Sequence, residues 1–194
     1  GVAQYGLLAG STVISGETLD TGEYSTITTM DLKLNQTTTG GYTTPILNNG
    51  IRAIQGATSN TTTLPNGGRG TAGQVIVNGI LDMTLTGNRS VGIYVSGNAT
   101  NHGVATDRAP VFNALTPKVI LNNDAKIIIN KGTGSSFTTW DSHGIKLGKV
   151  RYAGEGPGIL ESHGNLVIDT TNALQGGGIK MMRNSILDAS DSNA

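Results

Sequence analysis

Residues 164–181 read GNLVIDTTNALQGGGIKM. A short run with alternating apolar character, Leu166-Val167-Ile168, leads into a polar turn. Three glycines then open a second run, Ile179-Lys180-Met181. Alone, this reads as strand, bend, strand, an ordinary hairpin. The reading changes because the chain repeats it. Asp31-Leu32-Lys33-Leu34-Asn35, Asp82-Met83-Thr84-Leu85-Thr86, Lys126-Ile127-Ile128-Ile129-Asn130 and Asn165-Leu166-Val167-Ile168-Asp169 share one pattern. Each has apolar residues two apart between polar ends, which puts them on one face of a strand. Each run is followed by a Gly-Ile step: Gly50-Ile51-Arg52-Ala53, Gly92-Ile93-Tyr94-Val95, Gly144-Ile145-Lys146-Leu147 and Gly178-Ile179-Lys180-Met181. In each step the residue after glycine is expected to face in, the next out and the third in again.

The first runs start at 31, 82, 126 and 165, and the Gly-Ile steps fall at 50, 92, 144 and 178. The period drifts around forty residues, the signature of a stacked repeat. Each unit exposes an apolar strip that only the next unit can bury, and spacers of varying length project as loops. The pieces GQVIVNG (73–79), KVILNN (118–123) and GPGIL (156–160) read as further strands, so each unit is expected to hold two coils. Gly, Thr and Asn recur too often for a helical period to survive. The expectation is an all-β chain, a right-handed parallel β-helix (a solenoid) with loop excursions. Residues 1–24 form a cap or first coil, and 25–190 the repeated coils. An antiparallel sandwich or barrel would place Asn-Gly turns between equal strands. Asn49-Gly50 and Asn78-Gly79 instead abut the Gly-Ile pieces.

Composition agrees. The chain has 194 residues with 29 Gly, and 13% are charged against about 25% in a typical globular chain. Hydrophobic residues make up 36%, enough for a core. The net charge is +0, and no basic run marks a nucleic-acid or polybasic membrane role. With no cysteine there is no disulfide, thiolate metal site or cysteine nucleophile. No run approaches the roughly 20 apolar residues of a membrane helix. The two ends read as those of a cut piece whose signal peptide, if it had one, is already removed.

Motifs for chemistry are sparse. His102, His143 and His163 have no zinc spacing and read as surface-loop residues. WDSHG (140–144) holds Asp, Ser and His, but in a strand Ser142 points away from the face that Asp141 and His143 share. The SHG step occurs at 142–144 and 162–164, similar to the His-Gly step of pectin-cleaving β-helices. The carboxylates near it, Asp124, Asp141, Glu155, Glu161 and Asp169, are isolated in sequence. They would serve a glycosidase only if stacking brought two together. GGRGTAG (67–73) lacks the Asp of a calcium repeat. No metal or cofactor is expected. Thr-rich pieces do not continue in register as an ice-binding face requires, and the Asn-x-Ser/Thr sequons are of the number chance gives in so Asn- and Thr-rich a chain.

The strands VGIYVSGNAT (91–100) and GGGIKM (176–181), with NLVID-like runs and Asn/Thr-rich turns, resemble autotransporter passenger domains over roughly residues 25–190. These are the exported β-helical parts of type V secreted proteins of Gram-negative bacteria. The resemblance implies a cell-surface or secreted module for adhesion, aggregation or virulence. It also implies an outer-membrane barrel elsewhere in the parent chain. Implied partners are a host glycan, an extracellular-matrix protein or another copy, with no nucleic acid. A polysaccharide-cleaving enzyme and a purely structural stalk are the alternatives.

Recognition on such a scaffold falls to loops. Three excursions stand out, at 56–73, 98–117 and 130–143. The last holds Phe137 and Trp140, suited to sugar stacking or a protein hot spot. Phe137, Trp140, Asp141 and His143 are the ligand-binding candidates. Arg52, Lys146 and Lys180 follow the Gly-Ile steps. They form a mild basic ladder if the coils stack in register, and scattered surface charge if they do not.

Overall fold

The computed structural model describes residues 3–10, 24–39, 47–55, 72–97, 116–133, 142–148, 156–182 and 185–191. These contain strands and no helix. In chain order the strands are β1 (Ala3–Ala9), β2 (Tyr24–Thr29), β3 (Leu32–Thr37), β4 (Leu47–Ile54) and β5 (Ala72–Val77). Then come β6 (Leu81–Thr86), β7 (Ser90–Ser96), β8 (Lys118–Leu121), β9 (Ala125–Asn130) and β10 (Ser142–Leu147). The last are β11 (Ile159–Ser162), β12 (Leu166–Asp169), β13 (Gly176–Met181) and β14 (Ile186–Asp188).

They form three sheets. The first runs β1-β4-β7-β10-β13, the second β2-β5-β8-β11-β14 and the third β3-β6-β9-β12. Every pairing is parallel, and each strand pairs with the one three places on. The chain thus visits the three sheets in turn and returns to each after one circuit. One repeat unit is one circuit of three strands, which corrects the expectation of two coils per unit. The period-two pattern is similar in all three sheets, so the sequence did not say that each piece belonged to a different sheet. The alternating runs are β3, β6, β9 and β12, and the Gly-Ile steps are β4, β7, β10 and β13. The extra pieces fall on β5, β8 and β11. The antiparallel alternative is excluded by the all-parallel pairing.

Register sorts side chains into rows. Ile51, Ile93 and Ile145 align in the first sheet, Val75, Val119 and Leu160 in the second, and Met83 and Ile127 in the third. All of these are 0% exposed. At the ends burial falls. Leu7, Ile27, Leu32 and Leu34 at one end, and Leu166, Ile168 and Leu187 at the other, are only partly buried. Ile179 and Met181 are each 45% exposed, although they align with the fully buried Ile145 and Leu147. The difference is the strand above: β10 has one and β13 is the last of its sheet.

The turns between the second and third sheets are short, and polar side chains tie each to its neighbour. The Asp31 carboxylate accepts a hydrogen bond from Ile80 N (2.8 Å), and Asp124 accepts one from Asn165 N (2.9 Å). Asn122 Nδ2 donates to Asn78 Oδ1 at 2.8 Å. At the corner into the first sheet, Asn48 Nδ2 donates to Ser90 Oγ (3.2 Å), and Ser90 N donates to Ser142 Oγ (3.2 Å). Ser142 thereby gives the buried Ser90 N–H a partner it would otherwise lack, and Asp31 and Asp124 cap exposed turn N–H groups.

The glycines of the first sheet have a steric reason. A methyl group on Gly6, Gly50, Gly92 or Gly144 would lie 2.7, 2.7, 2.5 or 3.0 Å from the carbonyl oxygen of the glycine in the next strand. It would also meet Leu34, Met83, Ile127 or Ile168, one register row of the third sheet. Glycine here permits close approach of backbone and core rather than an unusual turn. Gly178 ends the ladder, with nothing within 4 Å of the same position. Gly92→Ala is expected to cost about 2 kcal/mol through forced repacking. Gly178→Ala should be neutral or stabilising by up to about 1 kcal/mol. Urea denaturation midpoints of the two variants check this, and equal losses would contradict the ladder.

Candidate functional site

The row one residue after Leu7, Ile51, Ile93, Ile145 and Ile179 runs Leu8, Arg52, Tyr94, Lys146, Lys180 across the first sheet. The ladder that the sequence made conditional on register is therefore present. Tyr94, which motif reading passed over, sits in its middle. The Arg52 guanidinium lies between two rings, 5.4 Å from the centroid of Tyr5 and 4.9 Å from that of Tyr94. Arg52 Nη1 also donates to Tyr5 Oη at 3.0 Å. Lys146 Nζ lies 5.2 Å from the Tyr94 centroid. Tyr94 thus carries a cation from the strand on either side, and only 7% of it is exposed. Each such contact is worth about 0.5–1 kcal/mol at an exposed site and more where water is excluded. The contacts also hold long side chains in place. Tyr5 (36% exposed) and Leu8 (42%) leave an apolar patch beside the first cation.

Charge is segregated. The five strands of this sheet contain no Asp or Glu. The described carboxylates lie in the other two sheets, in turns and after the last strand: Asp31, Asp82, Asp124, Glu161, Asp169, Asp188 and Asp191. On the third sheet, Lys33 and Asp82 approach to 3.9 Å, an exposed pair of little energetic weight. Among the described residues, the charged side chains on the strands of this sheet are therefore the cations Arg52, Lys146 and Lys180. The connections into and out of this sheet are also the variable ones. The second-to-third corner takes only 30–31, 78–80, 122–124 and 163–165, while 55–71, 97–117 and 131–141 adjoin strands of the first sheet.

Of the four ligand-binding candidates, Phe137, Trp140 and Asp141 lie outside the described residues, as does most of each excursion. His143 is described, and it corrects the surface-loop reading: it lies in β10 and is 7% exposed. Its ring packs over Gly177, where a methyl group would lie 2.9 Å from Nδ1. His163 does sit exposed in a turn, with Nδ1 3.0 Å from Asp191 Oδ2. His102 lies outside the described residues. Ser142 is fully buried, and its hydroxyl accepts from Ser90 N.

Stacking does bring two carboxylates into register. Glu161 aligns with Asp188, a residue not weighed in the sequence. The Ser190 hydroxyl and N–H both donate to Asp188 Oδ1, at 2.7 and 3.1 Å, and hold its pKa below the usual carboxylate range. Asp169 is lowered the same way by the Thr171 hydroxyl and N–H. A glycosidase pair needs one carboxyl raised to act as the acid and one kept ionised, and Asp188 is tuned for the ionised role alone. The Tyr24 phenol is pushed up by burial and by the negative charge of Glu161, and it donates to Thr116 O at 2.9 Å.

Because the folded-state pKa values of Asp169 and Asp188 are depressed, their contribution to stability is present above the ordinary carboxylate pKa. It is lost as pH falls through the lowered values. Thermal melts from pH 6 to pH 2 should show a shallower acid loss in the Asp169→Asn/Asp188→Asn double variant. Parallel curves would contradict these turns as a source of acid sensitivity. Comparison with protein families, with characterised proteins and with solved structures finds no match to this chain.

Proposed function

We propose that the chain is a non-catalytic adhesion module displayed at a bacterial surface, its stack a right-handed parallel β-helix of the autotransporter-passenger type. The observation that carries this reading is the join of a repeated, in-register scaffold to long connections that adjoin the strands of its first sheet. Right-handedness follows the general rule for parallel crossovers. Cysteine-free composition suits folding outside the cell. The partner is a glycan or matrix protein held by the connections, with Trp140 as an anchor, and by the face beside them. A purely structural stalk would need bare turns at every corner, and only one corner is uniformly short. A polysaccharide-cleaving reading rests on the Glu161–Asp188 register alone.

A glycan and extracellular-matrix array of the wild type and Trp140→Ala tests the proposal. Specific binding by the wild type is expected, weakened about tenfold or more in the variant, the loss of one anchor worth about 1.4 kcal/mol. A folded chain that binds nothing on the array contradicts adhesion. Release of oligosaccharides from a bound polymer contradicts the non-catalytic reading.

A further inference from the structure

We propose that copies of this chain stack end to end, the last circuit of one copy (β12, β13, β14) adding in register to the first circuit (β1, β2, β3) of the next. This goes beyond the adhesion reading and does not depend on it, since the contact needs no ligand.

The first argument is what the two ends leave unfinished. β1, β2 and β3 are the terminal strands of the three sheets at one end, and β13, β14 and β12 at the other. Among the described residues each therefore has one edge with no further strand of its sheet beside it. Such an edge is a template for another chain. The usual protections are missing from these six strands. They contain no proline, and their charged residues, Lys33, Asp169, Lys180 and Asp188, all stand at outward positions. The core is unfinished too. Ile179 is 45% exposed in the row where Ile145 is fully buried. Leu166, Ile168 and Leu187 at that end, and Leu7, Ile27, Leu32 and Leu34 at the other, are only partly covered.

The second argument is that the two ends match. Carried from the last circuit to the first, the register of each sheet sets Ile179 opposite Leu7, Leu187 opposite Ile27, Leu166 opposite Leu32 and Ile168 opposite Leu34. Each is apolar on apolar, as in the interior rows. Ala9, opposite Met181, is already covered and gains nothing. The inward row of Leu85 and Ile129 turns polar at both ends, as Gln36 on β3 and as Thr170, one residue beyond β12. Gln36 Oε1 is buried with no hydrogen-bond partner among the described residues, and Thr170 brings a hydroxyl donor to its side of the junction. No like charges meet: Lys33 comes opposite Val167, Asp169 opposite Asn35, Lys180 opposite Leu8 and Asp188 opposite Thr28. A second copy carries all of these rows at the required spacing, which selects it over an unrelated strand.

The glycine ladder gives the contact its direction. The space beside Gly6, Gly50, Gly92 and Gly144 is closed by the carbonyl oxygen of the next strand's glycine, and beside Gly178 it is open. Gly6 of the following copy supplies that carbonyl. Because unlike ends meet, the contact is heterologous and does not close on itself, so growth continues past the dimer.

The test is sedimentation of the intact chain over a range of concentrations. The weight-average mass is expected to rise with concentration and to pass the dimer without a plateau. Gly178→Ala, folded and at least as stable as the wild type when dilute, should weaken the association about tenfold or more, because its methyl group takes the place of the next carbonyl. Cysteine pairs then fix the register. Lys33 and Val167 stand three strand spacings apart within one chain, roughly 14 Å, which is beyond disulfide reach. They come opposite each other only across the junction. On oxidation, Lys33→Cys/Val167→Cys should form a ladder of disulfide-linked multimers. Asn35→Cys/Val167→Cys, shifted by two residues, should form far fewer. Lys33→Cys mixed with Val167→Cys should give the mixed dimer in excess over either homodimer. A wild type that stays monomeric at every concentration overturns the proposal, as does a plateau at the dimer or association that Gly178→Ala leaves unchanged. Equal ladders from the two cysteine pairs also overturn it. So do homodimers in preference to the mixed dimer, which would show that like ends meet.

Discussion

Each strand of this molecule buries its inward side chains because the strand three places on lies in register beside it. A single circuit of three short strands has no core of its own. Ile51 is fully buried between β1 and β7 in its sheet, while Ile179, in the same row of the last strand, is 45% exposed. The backbone has the same dependence, since a parallel strand finds its hydrogen-bond partners only in its neighbours. In-register pairing therefore sets both the burial and the polar satisfaction of every interior circuit.

Register then dictates side-chain chemistry row by row. Inward rows must be apolar and close-packed. Where the first and third sheets approach at the Gly-Ile steps, the residue is glycine because the next carbonyl and a third-sheet side chain occupy the space a methyl group would need. Corner rows must satisfy turn backbone, which Asp31, Asp124 and Ser90 do. Outward rows have no such obligation, so they can hold function. The same stacking that aligns Ile51, Ile93 and Ile145 aligns Arg52, Tyr94 and Lys146 one residue later. The contacts of the Tyr94 ring with Arg52 and Lys146 follow from placing suitable residues one position after an obligatory core position.

Much of this was legible in the sequence. The period-two runs and Gly-Ile steps marked eight strands of two sheets, because alternation with a fixed glycine is a strong local signal. Three strands of the second sheet, β5, β8 and β11, were seen as extra pieces and counted as a second coil, since nothing local tells which of three faces a short strand joins. β1 escaped because Leu7 stands where the other steps have Ile, and β14 because three residues are too few for a pattern. The basic ladder was visible only on condition of register. Tyr94 was missed because a tyrosine between two buried residues carries no mark of what covers it. His143 read as a loop residue because its room comes from Gly177, 34 positions later in the chain. Glu161 and Asp188 meet for the same non-local reason.

The most direct measurement is disulfide trapping in a chain that has no cysteine of its own. Gln74 and Lys118 are register partners on β5 and β8. Replaced together by cysteine, they should cross-link readily, because neighbouring strands bring their Cα atoms within disulfide reach. The pair Gln74→Cys/Ile120→Cys, shifted by two residues, should cross-link far less. Equal trapping of both pairs, or preference for the shifted one, would contradict the in-register parallel stack on which the burial, the glycine ladder and the cationic row all depend.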